Sequence, residues 1–152
     1  MKLTHVVICL WALTFLAATP PRVGGVATAP LALPNPVIVF MGAEEFDSGG
    51  KKWTRYKYAV DNRAEYPNEL FAPSPELPPC GNNTKPARTW VDIYEQDGKR
   101  LYGFCALADH DGLGQLWFSL ERDTIPPSWV YVELTDRKTN TKYKSNLAET
   151  TF

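Results

Sequence analysis

Two runs rich in β-branched and aromatic residues, Thr89 to Glu95 and Arg100 to Ala106, flank Asp97-Gly98, and this pattern specifies a β-hairpin. A two-residue type I′ turn needs positive φ at both central positions, and Asp-Gly is a favoured pair for it. That turn sets Glu95 opposite Arg100, Tyr94 opposite Leu101, Ile93 opposite Tyr102, Asp92 opposite Gly103, Val91 opposite Phe104 and Trp90 opposite Cys105. Opposed residues share a face. One face then carries Val91, Ile93, Tyr102, Phe104 and Ala106, with a Glu95/Arg100 ion pair toward the turn, and is a core face. The other carries Trp90, Asp92, Tyr94, Leu101, Gly103 and Cys105 and is mixed.

Further short strand candidates flank the hairpin. Residues 37–41 and 53–60 precede it, and 115–120, 129–135 and 141–145 follow it. Lys138-Thr139-Asn140 suits a three-residue hairpin loop, with Asn140 in the left-handed position. Between the second and third runs, residues 61–88 hold six prolines (67, 73, 75, 78, 79 and 86), which bar a helix through the middle. Residues 64–71 leave room for one or two helical turns. There is no internal repeat and no long amphipathic helix. The pattern predicts an all-β chain, an antiparallel β-sandwich of about six or seven short strands with a long Pro-rich loop at 61–88.

The N-terminus has a different character. Lys2 precedes an apolar run of 13 residues, 6–18, which is the length of a signal-peptide core and shorter than the roughly 20 residues of a membrane span. Residues 1–29 are therefore expected to be a signal peptide and leader, and 30–152 a single domain. Cleavage after Ala18 or Ala27 is favoured over cleavage after Ala29, which would leave Pro30 beside the scissile bond. Cys9 lies inside the apolar core, so it does not read as a lipidated cysteine. The expected location is secreted or periplasmic, with no membrane span in the mature chain. Loss of Lys2 and Arg22 leaves 14 basic against 17 acidic residues, a net of −3, and leaves two cysteines, Cys80 and Cys105. In an oxidising compartment such a pair is expected as a disulfide, worth about 3 kcal/mol in the chain-entropy model. The rival is a cysteine nucleophile with His110 as its base.

The run Ile125-Pro126-Pro127-Ser128-Trp129-Val130-Tyr131 resembles the corner before the penultimate strand of fibronectin type III and related immunoglobulin-like domains. In those domains an apolar residue, a proline two on and a tyrosine six on form a tyrosine corner, and Ile125, Pro127 and Tyr131 occupy these places. The next apolar residues are Val130, Val132 and Leu134, where the family has them two and four after the tyrosine. The resemblance covers about the last 65 residues; it implies a sandwich topology, and no particular function follows from it.

Chemical motifs are sparse. Near-neutral charge gives no electrostatic case for nucleic acid. Asp109-His110-Asp111-Gly112 looks like the start of a calcium loop, but an EF-hand would need ligands where Leu113 and Leu120 stand, so a solvated turn is expected. Glu44, Glu45 and Asp47 form an acidic cluster before Gly49-Gly50-Lys51-Lys52, which lacks the pattern of a phosphate loop; solvated carboxylates are the expectation. Two cysteines and one histidine cannot supply four zinc ligands, and neither a metal nor a cofactor is expected. Asn82-Asn83-Thr84 is a glycosylation acceptor pattern.

Aromatic residues are the surplus. Trp90, Tyr94, Trp117, Trp129 and Tyr131 all lie on expected strands opposite the Val/Ile/Leu/Phe positions. Either a second sheet or the long loop covers them, the simpler expectation because aromatics dominate buried area, or they form a face for sugar stacking or a protein partner. The expected function is accordingly an exported, monomeric, non-enzymatic binding or accessory domain for a protein or carbohydrate. The alternative is a small secreted hydrolase using His110 with Asp109 or Asp111, or carboxylates such as Glu44 and Asp92.

Overall fold

The computed structural model describes residues 32–80, 86–105 and 107–151. The leader expected over 1–29, the Asn82 acceptor and Ala106 lie outside these residues. Eight strands occur among the described residues: β1 (Ile38–Ser48), β2 (Lys51–Val60), β3 (Thr89–Glu95), β4 (Arg100–Cys105), β5 (Leu116–Glu121), β6 (Trp129–Asp136), β7 (Thr141–Lys144) and β8 (Ala148–Glu149). They form two antiparallel sheets, ordered β1-β2-β5 and β4-β3-β6-β7, with β8 also on β6. The chain is thus the all-β antiparallel sandwich that the strand pattern predicts. Its core joins Tyr58, Val60 and Phe118 from one sheet to Val91, Ile93 and Val132 from the other.

The first hairpin corrects one expectation. β1 continues past residue 41 to Ser48, so Glu44, Glu45 and Asp47 are strand residues rather than loop residues. Gly49 and Gly50, at φ 60° and 75°, make the tight turn, since a turn positive at both positions suits residues without a Cβ. Pairing then brings Glu44 to Arg55 and Lys57, Asp47 to Lys52, and Glu45 to Arg122. The register of β1 shifts between Phe40 and Gly42, which leaves Met41 bulged. At the free edge of β1 the Asn146 amide takes the place of a neighbouring strand: the Ile38 N–H donates to its Oδ1 at 2.8 Å, and its Nδ2 donates to the Ile38 carbonyl at 3.1 Å.

In the central hairpin the expected pairs from Trp90/Cys105 to Ile93/Tyr102 form, but the turn end differs. Only Gly98 takes positive φ there, at 93°, and the Glu95 N–H donates to the Lys99 carbonyl at 2.8 Å. The loop is therefore the three residues Gln96-Asp97-Gly98, which demand a left-handed conformation of glycine alone. The extra residue shifts the register by one. Tyr94 faces Arg100, and Leu101 leaves the ladder and packs on the core. The Glu95/Arg100 pair is replaced by two others, Lys99 Nζ to Glu95 Oε1 at 2.8 Å and Arg100 Nη2 to Asp92 Oδ1 at 2.7 Å.

The Pro-rich segment is pinned at several points. Two single 3-10 turns, Arg63–Glu65 and Asn68–Leu70, present Tyr66, Leu70 and Phe71 to the core, and the Tyr66 hydroxyl donates to the Pro34 carbonyl at 2.7 Å. Cys80 and Cys105 form the expected disulfide, with Cα atoms 6.0 Å apart. Arg137 donates to the carbonyls of Ala87 at 2.6 Å and Pro78 at 2.9 Å. Between β6 and β7 the last pair is Asp136/Thr141, so this loop is 137–140, one residue longer than expected; Asn140 is left-handed at φ 56°.

Candidate binding site

Strand pairing sorts the five candidate aromatics. Trp90, Tyr94, Tyr131 and Trp129 lie on the outer face of the five-stranded sheet, where Trp90 pairs with Thr135 and Tyr94 with Tyr131. Trp117 lies on the other sheet, opposite Lys57 of β2, so the five do not form one face. Alternation along a strand assigns a residue to a face but not to a sheet.

Three of the four outer residues are occupied by neighbours. Trp90 pairs with disulfide-bonded Cys105, and the Arg137 guanidinium lies 4.4 Å above its ring. Tyr94 and Tyr131 stack at 5.2 Å, and Lys144 Nζ caps Tyr131 at 3.8 Å, leaving Tyr131 only 8% exposed. Tyr131 thus faces outward, and Ile125 is 90% exposed, so the packing of a tyrosine corner is not built from these residues. The charged groups of this face also satisfy one another, as Asp92 with Arg100 and Glu133 with Lys142 at 2.7 Å.

Trp129 is the exception, at 37% exposed. It opens β6 directly after Pro126-Pro127-Ser128, and its carbonyl accepts from the Gln96 N–H at 3.1 Å, which draws the β3–β4 loop alongside. The result is a shallow hollow of about 330 Å³ lined by Glu95, Gln96, Asp97, Pro127, Ser128 and Trp129. The Asp97 carboxylate accepts from the Lys99 N–H at 3.0 Å, and Lys99 Nζ holds Glu95, so both carboxylates are fixed. An open indole flanked by two carboxylates, an amide and a hydroxyl can stack on the apolar face of a ring while accepting hydrogen bonds from its hydroxyls. Excess carboxylate here disfavours an anionic ligand. The sequence marked Trp129 but read Glu95, Gln96 and Asp97 only as turn residues; their proximity to Trp129 comes from strand pairing.

Of the groups named for hydrolysis, His110 and Asp111 are neighbours, while Glu44 and Asp92 lie on different sheets. Glu44 is bound by Arg55 and Lys57 at 3.0 Å each on the outer face of the three-stranded sheet, and Asp92 is bound by Arg100 on the other sheet. His110 begins a 3-10 turn, His110–Gly114, capped by Asp109, whose carboxylate accepts from the Gly112 N–H at 3.3 Å. Its Nε2 is 3.8 Å from Asp111 and its Nδ1 is buried without a partner. Among the described residues no group of three or more His, Cys, Asp and Glu is placed to hold a metal ion, and no helix is long and apolar enough to cross a membrane. No family model, curated protein or solved structure matches this chain.

Proposed function

We propose that this protein is an exported, non-enzymatic binding module that takes a neutral carbohydrate against Trp129. The observation that carries this reading is the half-open indole beside the fixed side chains of Glu95 and Asp97. A carbohydrate is preferred to a protein partner because the rest of this face has its charges paired and its rings capped internally. Export rests on the leader pattern, and the Cys80–Cys105 disulfide is compatible with an oxidising compartment. We read the sandwich as immunoglobulin-like. The orders β1-β2-β5 and β4-β3-β6-β7 support this, with the fourth strand joined to the third instead of to the β1-β2-β5 sheet as in the constant-type arrangement.

The test is a titration of the oxidised protein with a panel of neutral and acidic oligosaccharides. Saturable binding of one or more neutral members is expected, weakened about tenfold by Trp129→Ala, partly kept by Trp129→Phe, and absent for acidic members. If no neutral member binds, or Trp129→Ala binds as the unaltered chain does, the reading is wrong.

A further inference from the structure

A second recess lies on the other sheet and has the opposite charge. The bulge at Met41, the β2 residues Arg55, Lys57 and Tyr58, and the start of β5 around Gln115 and Trp117 enclose a cleft of about 400 Å³. No carboxylate lines it, and its two charged residues are both cations. Arg55 is held rigidly, with its guanidinium 4.6 Å from the Phe46 ring and 4.8 Å from the Trp117 ring. One carboxylate, Glu44, serves both cations, accepting from Arg55 Nη1 and Lys57 Nζ at 3.0 Å each. That leaves one positive charge of the pair uncompensated. Arg55 Nε is buried without a hydrogen-bond partner, and so is the Tyr58 hydroxyl. Met41, 58% exposed, and Trp117, whose ring also stacks on Tyr102 at 4.8 Å, supply apolar surface beside the two cations; the Tyr58 ring itself packs in the core against Phe40 and Phe118.

We propose that this cleft binds a small organic carboxylate with an apolar body. The carboxylate pairs with Lys57 and Arg55, where Glu44 already shows that one carboxylate spans both. The apolar body lies between Met41 and the Trp117 ring. Glu44 is then an internal competitor, and its removal strengthens binding. The site is independent of the Trp129 hollow, and neither reading depends on the other.

Met1 and Met41 are the two methionines of the chain, so a ¹³C-methyl methionine spectrum reports directly on the cleft, with Met41→Leu identifying the resonance. The probes are hexanoate, its neutral analogue hexanol, and inorganic phosphate. Hexanoate is expected to shift the Met41 methyl saturably and at least about tenfold more tightly than hexanol or phosphate. Lys57→Gln should weaken hexanoate several-fold and Glu44→Gln should tighten it, both with the backbone amide spectrum unchanged away from the cleft. Three results would each overturn the proposal: no saturable shift, hexanol or phosphate binding as tightly as hexanoate, or neither substitution changing the affinity.

Discussion

Arg88 and Asp136 form a two-pronged ion pair, with Arg88 Nε 3.0 Å from Asp136 Oδ1 and Nη2 2.7 Å from Oδ2. Arg88 stands where the Pro-rich segment enters β3, and Asp136 ends β6 across the ladder pair Thr89/Asp136. Asp136 is buried, and its Oδ1 also accepts the Lys138 N–H at 3.0 Å, so one carboxylate ties together the segment, the sheet and the β6–β7 loop. Asp136→Asn keeps the shape but removes the charge and leaves the guanidinium with a weaker acceptor. A loss of about 2 kcal/mol in unfolding free energy is expected from a mostly buried charged partner. Urea unfolding at neutral pH measures it.

The same pair predicts a pH dependence. Hydrogen bonds from Arg88 hold the Asp136 carboxyl below the ordinary aspartate value, and those from Lys57, then the charge of Arg55, do the same for Glu44. A carboxyl depressed in the folded state binds its proton more readily when unfolded. Its contribution is therefore complete above the unfolded pKa of roughly 4 and is lost as pH falls through the lower folded value. Stability should be flat from pH 7 to about 5 and decline below about 4. Urea midpoints across that range should fall less steeply for Asp136→Asn. Identical slopes for the two proteins would show that Asp136 is not a source of the acid sensitivity.

Replacing both Cys80 and Cys105 by alanine removes the covalent tie across a sequence separation of 25. About 3 kcal/mol should be lost, the chain-entropy value for a loop of this size. Other ties on this segment remain, among them the hydrogen bonds from Arg137 to Pro78 and Ala87, the Lys138/Glu76 ion pair at 2.7 Å and the core packing of Leu70 and Phe71. The fold should persist while residues 71–80 become the first site of limited proteolysis. Cleavage elsewhere first would locate the weakest segment away from the disulfide.

Local pattern made much of this architecture legible, and partnership between distant residues hid the rest. The turn-based register gave the β3/β4 pairs from Trp90 to Ile93 because the residue added to the loop is offset by Leu101, which bulges out of β4. It missed the displacement of Leu101 because Asp-Gly serves both two-residue and three-residue loops, and the choice rests on whether Asp97 must take positive φ. The far half of β1 looked like a loop because its carboxylates read as solvated; in the fold Asp47 and Glu44 meet Lys52 and Arg55 across the β1–β2 turn, and Glu45 meets the distant Arg122 just beyond β5. The same holds for the site. Trp90, Tyr131 and Trp129 read alike in sequence, yet Arg137 covers the first and Lys144 caps the second, and only the third remains open.

Gly103 sits opposite Asp92, and its lack of a side chain lets Arg100 fold back across the strand. A Cβ at Gly103 would collide with Arg100 Nη2 and Asp92 Oδ1, the two atoms of that ion pair. The Arg100 head can swing into solvent, because its side chain is 59% exposed, but Asp92 is only 12% exposed and would remain buried with its partner displaced. Gly103→Ala should therefore cost about 1 to 2 kcal/mol, mostly from the stranded carboxylate. If so, Asp92→Asn added to Gly103→Ala should recover part of the loss, whereas Asp92→Asn alone should destabilise. Chemical denaturation of the two single variants and the double variant completes the cycle. Strict additivity would mean that the glycine is needed for the strand itself, and that the space it gives to the Arg100/Asp92 pair is incidental.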